Sequence, residues 1–246
     1  DNPFPYYSEL SLTDLCLRNN VVCYHNVNVN SETIINRLQK EMPDLVIVAT
    51  FRQILKREIL GIPAKGFINI HPSLLPKYKG PVPSQAVLMN DEKYTGVTIH
   101  YLSEEIDGGD ILLQRSMAID ETDNDGILRK KLAILAGEMI SEIVPVFLGD
   151  EPPLGQAQNR SEGFYVKKYK ANQECLDSAK TIDEIRKRVR AFNPYPGTSI
   201  MVENKKIYVN KYELLNMVSA DDGVYQHGNF IDVFLKGRGI RLFRSM

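Results

Sequence analysis

Residues 66–71 read Gly-Phe-Ile-Asn-Ile-His (GFINIH), a short strand pattern in which two polar side chains follow an apolar start. Because side chains alternate across a strand, Asn69 and His71 lie on one face, and Ile68 and Ile70 lie on the other. Open α/β sheets bind ligands at the carboxyl ends of their strands, where this polar pair lies. The pair is either part of a binding site or two satisfied polar groups that hold the next loop.

Strand-like and helix-like segments alternate on both sides of this strand. Upstream lie an apolar run at Val21–Tyr24, a helical pattern at Ser31–Met42 and the β-branched run Leu45–Thr50 (LVIVAT). The last run predicts a strand covered on both faces. This alternation predicts an α/β fold with an open, mostly parallel sheet. The downstream segments are a helix at Ser84–Asn90, strands at Gly96–Ser103 and Ile111–Ile119, and a long amphipathic helix at Asn124–Leu148.

The composition changes after Gly149. We predict a catalytic domain over residues 1–150, a Gly- and Pro-rich linker over 151–180, and a small, mainly β subdomain over 181–246. The subdomain begins with a helix and continues as two hairpins. These elements are a helix at Thr181–Phe192, a hairpin of Ser199–Val202 with Lys206–Tyr212, and a hairpin of Phe230–Leu235 with Gly239–Phe243.

The start of the chain lacks the opening of such a sheet. An open nucleotide-type α/β domain begins with a strand, a Gly-containing turn and a helix. Here the sequence starts in a loop pattern, and no GxGxxG motif occurs. We therefore expect further residues before Asp1 that supply the missing strand and helix.

Charge and cysteine content limit the classes of protein to consider. Lys and Arg (30) balance Asp and Glu (31), so the net charge of −1 gives no general attraction to nucleic acid or membrane. No apolar run approaches the ~20 residues of a membrane span, and the first ten residues do not resemble a signal peptide. Three cysteines without CxxC spacing indicate free thiols. We predict a cytoplasmic protein without a membrane partner.

A second polar segment, residues 104–110 (EEIDGGD), lies between two predicted strands. Asp-Gly and Gly-Gly are common turn dipeptides, so by itself the segment indicates a solvated hairpin turn.

Taken together, four segments resemble the formyl-folate-dependent transformylases in order and spacing. This family includes the glycinamide ribonucleotide, methionyl-tRNA and sugar N-formyltransferases. The string NIHPSLLP is specific, and a weaker similarity continues at Ala191–Gly197 (AFNPYPG). The resemblance implies a Rossmann-like formyltransferase sheet with a C-terminal region. The four segments are Phe51–Leu55, Phe67–Pro76, Gly96–His100 and Ile106–Leu112.

The resemblance assigns catalysis to Asn69, His71 and Asp107. When an amine attacks a formyl carbon, the oxygen becomes an oxyanion, which an amide NH₂ and an imidazolium can both stabilise. Asp107 is expected beside His71, where it favours the imidazolium and helps to move protons. This mechanism needs no metal, and the histidines at 25, 71, 100 and 227 have no metal-ligand spacing.

The resemblance also implies the co-substrate, 10-formyltetrahydrofolate, and the residues around it. The segment after LVIVAT lines the pterin slot, and the acidic turn closes its other side through the main chain. Core packing at a strand-to-helix turn is the alternative for the apolar members. The predicted folate-binding residues are Phe51, Gln53, Ile54, Leu55, Glu104 and Ile106.

The amine acceptor is the least determined part. We expect a nucleotide-linked amino sugar, of the dTDP- or UDP-4-amino-4,6-dideoxyhexose type, whose product enters an O-antigen or other lipopolysaccharide. The balanced charge disfavours tRNA, since the basic runs 167–170 and 186–190 are interpreted as a linker and a solvated helix face. The residues expected to contact the sugar nucleotide are Lys77, Tyr78, Lys79 and Gln85.

Three other readings stay open. Methionyl-tRNA is the alternative acceptor, and a formyltetrahydrofolate hydrolase or a non-catalytic folate-binding relative is a further alternative. A homodimer is also considered, because Phe230, Val233 and Phe234 place apolar side chains in a small subdomain.

Overall fold

A computed structural model describes residues 11–170, 172–216 and 221–245. Its helices are α1 (Leu12–Arg18), α2 (Glu32–Glu41), α3 (Arg57–Leu60), α4 (Pro83–Met89), α5 (Asp125–Ile143) and α6 (Ile182–Ala191). Its strands are β1 (Val46–Ala49), β2 (Phe67–His71), β3 (Tyr94–Tyr101), β4 (Ile111–Ala118), β5 (Thr198–Val202), β6 (Lys205–Leu215), β7 (Gly223–Gln226), β8 (Phe230–Leu235) and β9 (Arg238–Arg244). The predicted α/β class with a β-rich C-terminal subdomain is confirmed.

The described residues divide into two compact units. The first unit contains residues 11–79, 96–116 and 132–164, and the second contains the remainder. A four-stranded sheet has the order β1-β2-β3-β4. β1 pairs parallel to β2, and β3 pairs antiparallel to β2 with His100 opposite Asn69. This register places the polar end of β2 beside a histidine of the neighbouring strand.

The long helix ends earlier than predicted. Leu128, Leu132 and Met139 of α5 are buried, at spacings that place them along one face. The helix stops at Ile143 and continues as a 3₁₀ turn to Leu148, because a proline follows within two residues and removes a backbone donor.

The segments before β2 differ most from the predictions. Val21–Tyr24 forms no strand, and Val21, Val22 and Tyr24 are largely exposed. The prediction that β1 is covered on both faces was also wrong, because Ile47 and Ala49 face solvent and alternate with partly buried neighbours. β1 lies at the edge of the described sheet, so its pairing is one-sided.

A helix replaces the loop expected near the chain start. Ser11 caps α1 by accepting a hydrogen bond from the Asp14 backbone N–H, and the Asp14 carboxylate accepts one from the Ser11 N–H. This reciprocal capping box was readable from the Ser-x-x-Asp spacing. Among the described helices, none combines the length and apolar composition needed to cross a membrane.

The second unit is built on an antiparallel sheet with the order β5-β6-β9-β8-β7, and α6 packs against it. Both predicted hairpins are present. Their two-residue turns, Glu203–Asn204 and Lys236–Gly237, have φ values of 47°, 62°, 50° and 76°, as tight hairpins with matching twist require. β7 was not predicted, since its four residues are mostly exposed and carry no alternation of burial.

Two expectations about the second unit are corrected. Val233 and Phe234 are buried in the unit itself, so they do not form an apolar dimer surface. The basic run at 186–190 is not a solvated helix face. Arg186 binds Asp91 at 2.7 Å, and Arg190 is buried and donates to backbone carbonyls of the 120–123 segment.

Candidate active site

Three polar side chains meet around one carboxylate oxygen in the first unit. The alternation of β2 presents Asn69 and His71 on one face, and Asp107 comes from the connection between β3 and β4. Asp107 Oδ1 lies 3.4 Å from Asn69 Nδ2 and 3.6 Å from His71 Nδ1. The structure therefore brings together the residues predicted to be catalytic; their roles stay predictions.

His100 is a fourth member of this cluster, which the sequence analysis had treated only as part of a motif. It is fully buried, and its Nδ1–H donates to the Tyr101 carbonyl at 2.7 Å. Nε2 therefore carries the lone pair and accepts from Asn69 Nδ2 at 3.1 Å. Burial lowers the pKa of His100 to about 4, and the Tyr101 carbonyl and the Asp107 carboxylate oppose this effect only partly. Because Nε2 of a neutral His100 accepts, the Asn69 amide must present its Nδ2, and not its oxygen, to His100 and Asp107.

His71 is held by the loop that follows β2. Its Nε2–H donates to the Tyr78 backbone carbonyl at 2.8 Å, since a carbonyl can only accept. The remaining nitrogen, Nδ1, faces Asp107 Oδ1. The two atoms are 3.6 Å apart, so they are neighbours without a direct hydrogen bond.

The loop after β2 is held by hydrogen bonds from side chains to its backbone carbonyls. Thr98 Oγ1 donates to the Ser73 carbonyl at 2.6 Å, and Gln114 Nε2 donates to the Leu75 carbonyl at 2.9 Å. The Ser73 hydroxyl donates to the Lys77 carbonyl at 2.9 Å. The Ser73 hydroxyl therefore has a structural role in this loop.

The turn that carries Asp107 has an unusual backbone. Asp107 has a φ of 50°, which is uncommon outside glycine. A Cβ at Gly109 would lie 1.9 Å from the Tyr101 carbonyl oxygen, so only glycine fits there. Gln158 Nε2 donates to the Asp107 carbonyl at 2.9 Å and to the Gly109 carbonyl at 2.7 Å.

The chain from 153 to 164 packs along the first unit. Gln156 pairs with Ile111 through two backbone hydrogen bonds of 2.8 and 2.7 Å, and Tyr101 donates its hydroxyl to the Pro153 carbonyl. The Phe164 ring contacts the Tyr78 ring edge-on, with 4.7 Å between centroids. The first half of the segment predicted as a linker is thus part of the unit that holds the site.

The predicted folate-binding residues lie on two surface segments of the first unit. Phe51 and Ile54 follow β1 and are exposed, as is Ile106 in the acidic turn. The segments approach one another through Arg57 Nε and Glu104 Oε1, 3.5 Å apart. Leu55 is partly buried, and Gln53 is engaged elsewhere: its amide bonds to the Val27 carbonyl and the Val29 N–H.

The residues predicted to contact a sugar nucleotide differ in exposure and in the unit to which they belong. Lys77 is exposed, but Tyr78 is buried against Phe164 and offers no free ring face. Lys79 is buried and binds Glu105 at 2.8 Å. Gln85 lies in the second unit, where its amide is 3.4 Å from the Tyr195 carbonyl.

The cluster can bind a developing oxyanion and relay a proton. Asn69 Nδ2 is a hydrogen-bond donor, and Asp107 Oδ1 is an acceptor beside it and beside His71 Nδ1. Within the described ranges, no group of three or more His, Cys, Asp or Glu side chains is placed to hold a metal ion.

Comparisons with known proteins match both halves of the chain. The model of the family described as "Formyl transferase" matches residues 8–144, and that of the "Formyl transferase, C-terminal domain" matches residues 168–241. The resemblance based on the four motifs and AFNPYPG is thereby confirmed.

Curated relatives carry the name methionyl-tRNA formyltransferase. That of Methylacidiphilum infernorum is 38% identical over 81% of this chain and 62% of its own length. That of Bacillus subtilis is 38% identical over 69% of this chain and 54% of its own length. That of Clostridioides difficile is 33% identical over 91% of this chain and 71% of its own length. The chain spans 54 to 62% of the length of the first three relatives.

Solved structures share the fold at lower identity. The N-formyltransferase of Helicobacter canadensis, in complex with folinic acid and dTDP-3-aminofucose, has a TM-score of 0.70 and 21% identity, covering all of this chain and 87% of that one. WlaRD, a sugar 3N-formyl transferase, has a TM-score of 0.68 and 22% identity, covering 95% and 81%.

The predicted acceptor is corrected by these relatives. Relatives that are 32 to 38% identical are methionyl-tRNA formyltransferases, whereas the sugar N-formyltransferases are similar in fold at identities near 20%. The prediction of a nucleotide-linked amino sugar as acceptor, with its O-antigen product, was therefore wrong. The contacts predicted for Lys77, Tyr78, Lys79 and Gln85 depended on that acceptor and stay predictions.

Proposed function

Because the chain belongs to the formyl transferase family, we propose that it transfers the formyl group of 10-formyltetrahydrofolate to the amine of methionyl-tRNA. The observation that carries the proposal is that two nitrogens lie beside the same carboxylate oxygen. Asn69 Nδ2 is 3.4 Å and His71 Nδ1 is 3.6 Å from Asp107 Oδ1. Relatives of that name support the acceptor. A cytoplasmic location belongs to the same proposal.

In this reaction the amine nitrogen forms a bond to the formyl carbon, and the bond from that carbon to the folate nitrogen breaks. The formyl oxygen carries negative charge in between. Asn69 Nδ2 supplies a donor for that oxygen by exchanging its long, 3.4 Å bond to Asp107, while its 3.1 Å bond to His100 keeps the amide oriented. Losing one such donor costs about 3 to 4 kcal/mol in the barrier.

The proton moves in the opposite direction to the formyl group. The attacking amine must lose a proton, and the departing folate nitrogen must gain one. The His71–Asp107 pair lies where it can accept the first and return the second, directly or through water. Since the Tyr78 carbonyl occupies Nε2, the exchangeable proton of His71 is the one on Nδ1.

The folate is proposed to lie between the segment after β1 and the acidic turn. Phe51, Ile54 and Ile106 are exposed apolar side chains, which a flat pterin ring would cover. The Arg57–Glu104 contact ties the two segments together. Gln53 holds the segment after β1 in place through hydrogen bonds to the backbone of Val27 and Val29.

The tRNA requires exposed cations, and the whole-chain charge of −1 does not reveal them. In the second unit, lysines 167, 168, 170, 205, 206 and 211 are exposed. Arg186, Arg188 and Arg190 are excluded from this role, because ion pairs and carbonyls within the unit already bind them.

The proposal is tested by following tetrahydrofolate release from 10-formyltetrahydrofolate with methionyl-tRNA as acceptor. We expect formylated methionyl-tRNA in a one-to-one ratio to tetrahydrofolate, and none with uncharged tRNA. Turnover with a dTDP-linked amino sugar but not with methionyl-tRNA would contradict the proposed acceptor. Tetrahydrofolate release without any acceptor would instead identify a hydrolase.

A further inference from the structure

The turn that presents Asp107 is held by a side chain from much later in the chain. Gln158, 51 residues beyond Asp107, donates its Nε2 hydrogens to the Asp107 carbonyl at 2.9 Å and the Gly109 carbonyl at 2.7 Å. We propose that Gln158 is a positioning residue that sets the Asp107 carboxylate for proton transfer. This inference rests on the proposed function of formyl transfer.

The orientation of the Gln158 amide is determined by its partners. Its Oε1 atom is buried and has no hydrogen-bond partner within the described part of the chain. The reversed amide would instead place Oε1 against two carbonyl oxygens, which can only accept. The observed orientation therefore keeps both amide hydrogens on the turn.

The turn needs such support because its backbone is strained. Asp107 has a φ of 50°, a conformation that residues with a Cβ adopt rarely. A Gly108 N–H to Glu105 carbonyl bond of 3.1 Å closes the near side of the turn. Gln158 binds carbonyls on either side of Gly108, so its amide spans the bend that aims the carboxylate.

Gln158 is itself held in place by its neighbours. Gln156 pairs with Ile111 through two backbone bonds of 2.8 and 2.7 Å. A Cβ at Gly155 would lie 2.6 Å from the Asp110 Cβ, so this part of the chain runs in close contact with the end of the acidic turn. The amide of Gln158 thus acts from a backbone already paired to β4.

Removing the two donors would free the turn to relax. Two distances are then expected to change: Asp107 Oδ1 to His71 Nδ1, now 3.6 Å, and Asp107 Oδ1 to Asn69 Nδ2, now 3.4 Å. A misplacement of about 1 Å in a reacting group costs roughly 10²-fold in rate. The proposed folate site uses Ile106, which precedes the two carbonyls that Gln158 binds, so we expect a large loss in kcat and a smaller loss in folate affinity.

The test compares Gln158→Met with Gln156→Met. Both remove an amide from the same segment and keep the side-chain length, but Gln156 is anchored through its backbone and has an exposed side chain. We would measure kcat per folded molecule with methionyl-tRNA and 10-formyltetrahydrofolate, together with the Kd for tetrahydrofolate and the melting temperature. Gln158→Glu, which turns the donor into an acceptor, serves as the second variant.

We expect kcat to fall by roughly 30- to 100-fold in both Gln158 variants, with Kd within about threefold, and to stay within about twofold in Gln156→Met. A kcat per folded molecule within about threefold of wild type in either Gln158 variant would overturn the inference, even if the melting temperature falls. A parallel loss of folate affinity would also overturn it. Wild-type protein without formyl transfer would refute the proposed function instead.

Discussion

Two asparagines of the molecule are bonded in different ways. Asn193, in the second unit, is buried, and its Nδ2 lies within 3.1 Å of the Val189 carbonyl, Thr198 Oγ1 and the Val209 carbonyl. Those partners belong to α6, β5 and β6. Asn69, in the first unit, is partly buried, and its Nδ2 bonds to the side chains of His100 and Asp107.

The difference separates a side chain that holds the fold from one that is ready to exchange partners. Asn193 Nδ2 bonds to the last turn of α6 and to both β5 and β6, so its side chain links the helix end to the strands. Asn69 makes one short bond to a neutral histidine and one long bond, 3.4 Å, to a carboxylate. The long bond is the weaker one, and a formyl oxygen can replace it without disturbing the strand.

The largest effect is expected for Asn69→Ala. It removes a proposed donor to the oxyanion, so kcat should fall about 10²- to 10³-fold. The free energy of unfolding should fall by about 1 to 3 kcal/mol, because the buried Nε2 of His100 loses its donor. Steady-state formyl transfer and urea unfolding measure the two quantities. If the variant kept wild-type turnover but unfolded more easily, Asn69 would be a structural residue like Asn193.

The next effect concerns pH and His100. The folded protein keeps His100 neutral down to about pH 4, whereas in the unfolded chain it takes up a proton near its ordinary pKa of 6.5. Between these values the unfolded state binds more protons, so stability falls as the pH drops. The shift corresponds to about 3 kcal/mol.

His100→Gln can keep both hydrogen bonds but does not titrate. The free energy of unfolding, measured with urea, should fall between pH 7 and pH 4 in both proteins. The fall in His100→Gln should be smaller than the fall in wild type by about 3 kcal/mol. His227→Gln, at a half-exposed site, is the matched control. Parallel pH curves for wild type and His100→Gln would contradict a buried neutral histidine.

A smaller effect is expected for Asn193→Ala. It removes a buried side-chain donor from the Val189 carbonyl, while the Val209 carbonyl keeps the Thr198 hydroxyl, and it should lower the free energy of unfolding by about 1 to 3 kcal/mol. Below its melting temperature, kcat should remain within about twofold of wild type. A loss of kcat comparable to that of Asn69→Ala, in fully folded protein, would erase the distinction between the two asparagines.

The three catalytic residues were predicted from sequence because their segments resemble the formyltransferase family in order and spacing. Strand alternation and the Asp-Gly-Gly turn alone left a structural role open for Asn69, His71 and Asp107. His100 and Gln158 carry no such pattern. The first depends on the register between β2 and β3, and the second is 51 residues from its partner in a segment whose Gly and Pro content indicates a linker.

The acceptor was misjudged for a physical reason. Net charge sums over the whole chain, whereas binding of a polyanion depends on which cations are exposed. Arg186 pairs with Asp91, and Arg190 donates to the Asp120 carbonyl, both within the second unit. Lysines elsewhere in that unit are exposed. Neither fact can be read from a total of −1. β1 was misjudged similarly, since an apolar run does not show how many faces are covered.

The most direct test of the central claim is single-turnover formyl transfer to methionyl-tRNA by wild type and His71→Ala. His71 Nδ1 faces Asp107 while Nε2 donates to the Tyr78 carbonyl, so replacing the ring removes the proposed proton relay. We predict transfer by wild type and a loss of at least about 10²-fold in the variant, with tetrahydrofolate still bound. A rate near that of wild type in His71→Ala would contradict the account.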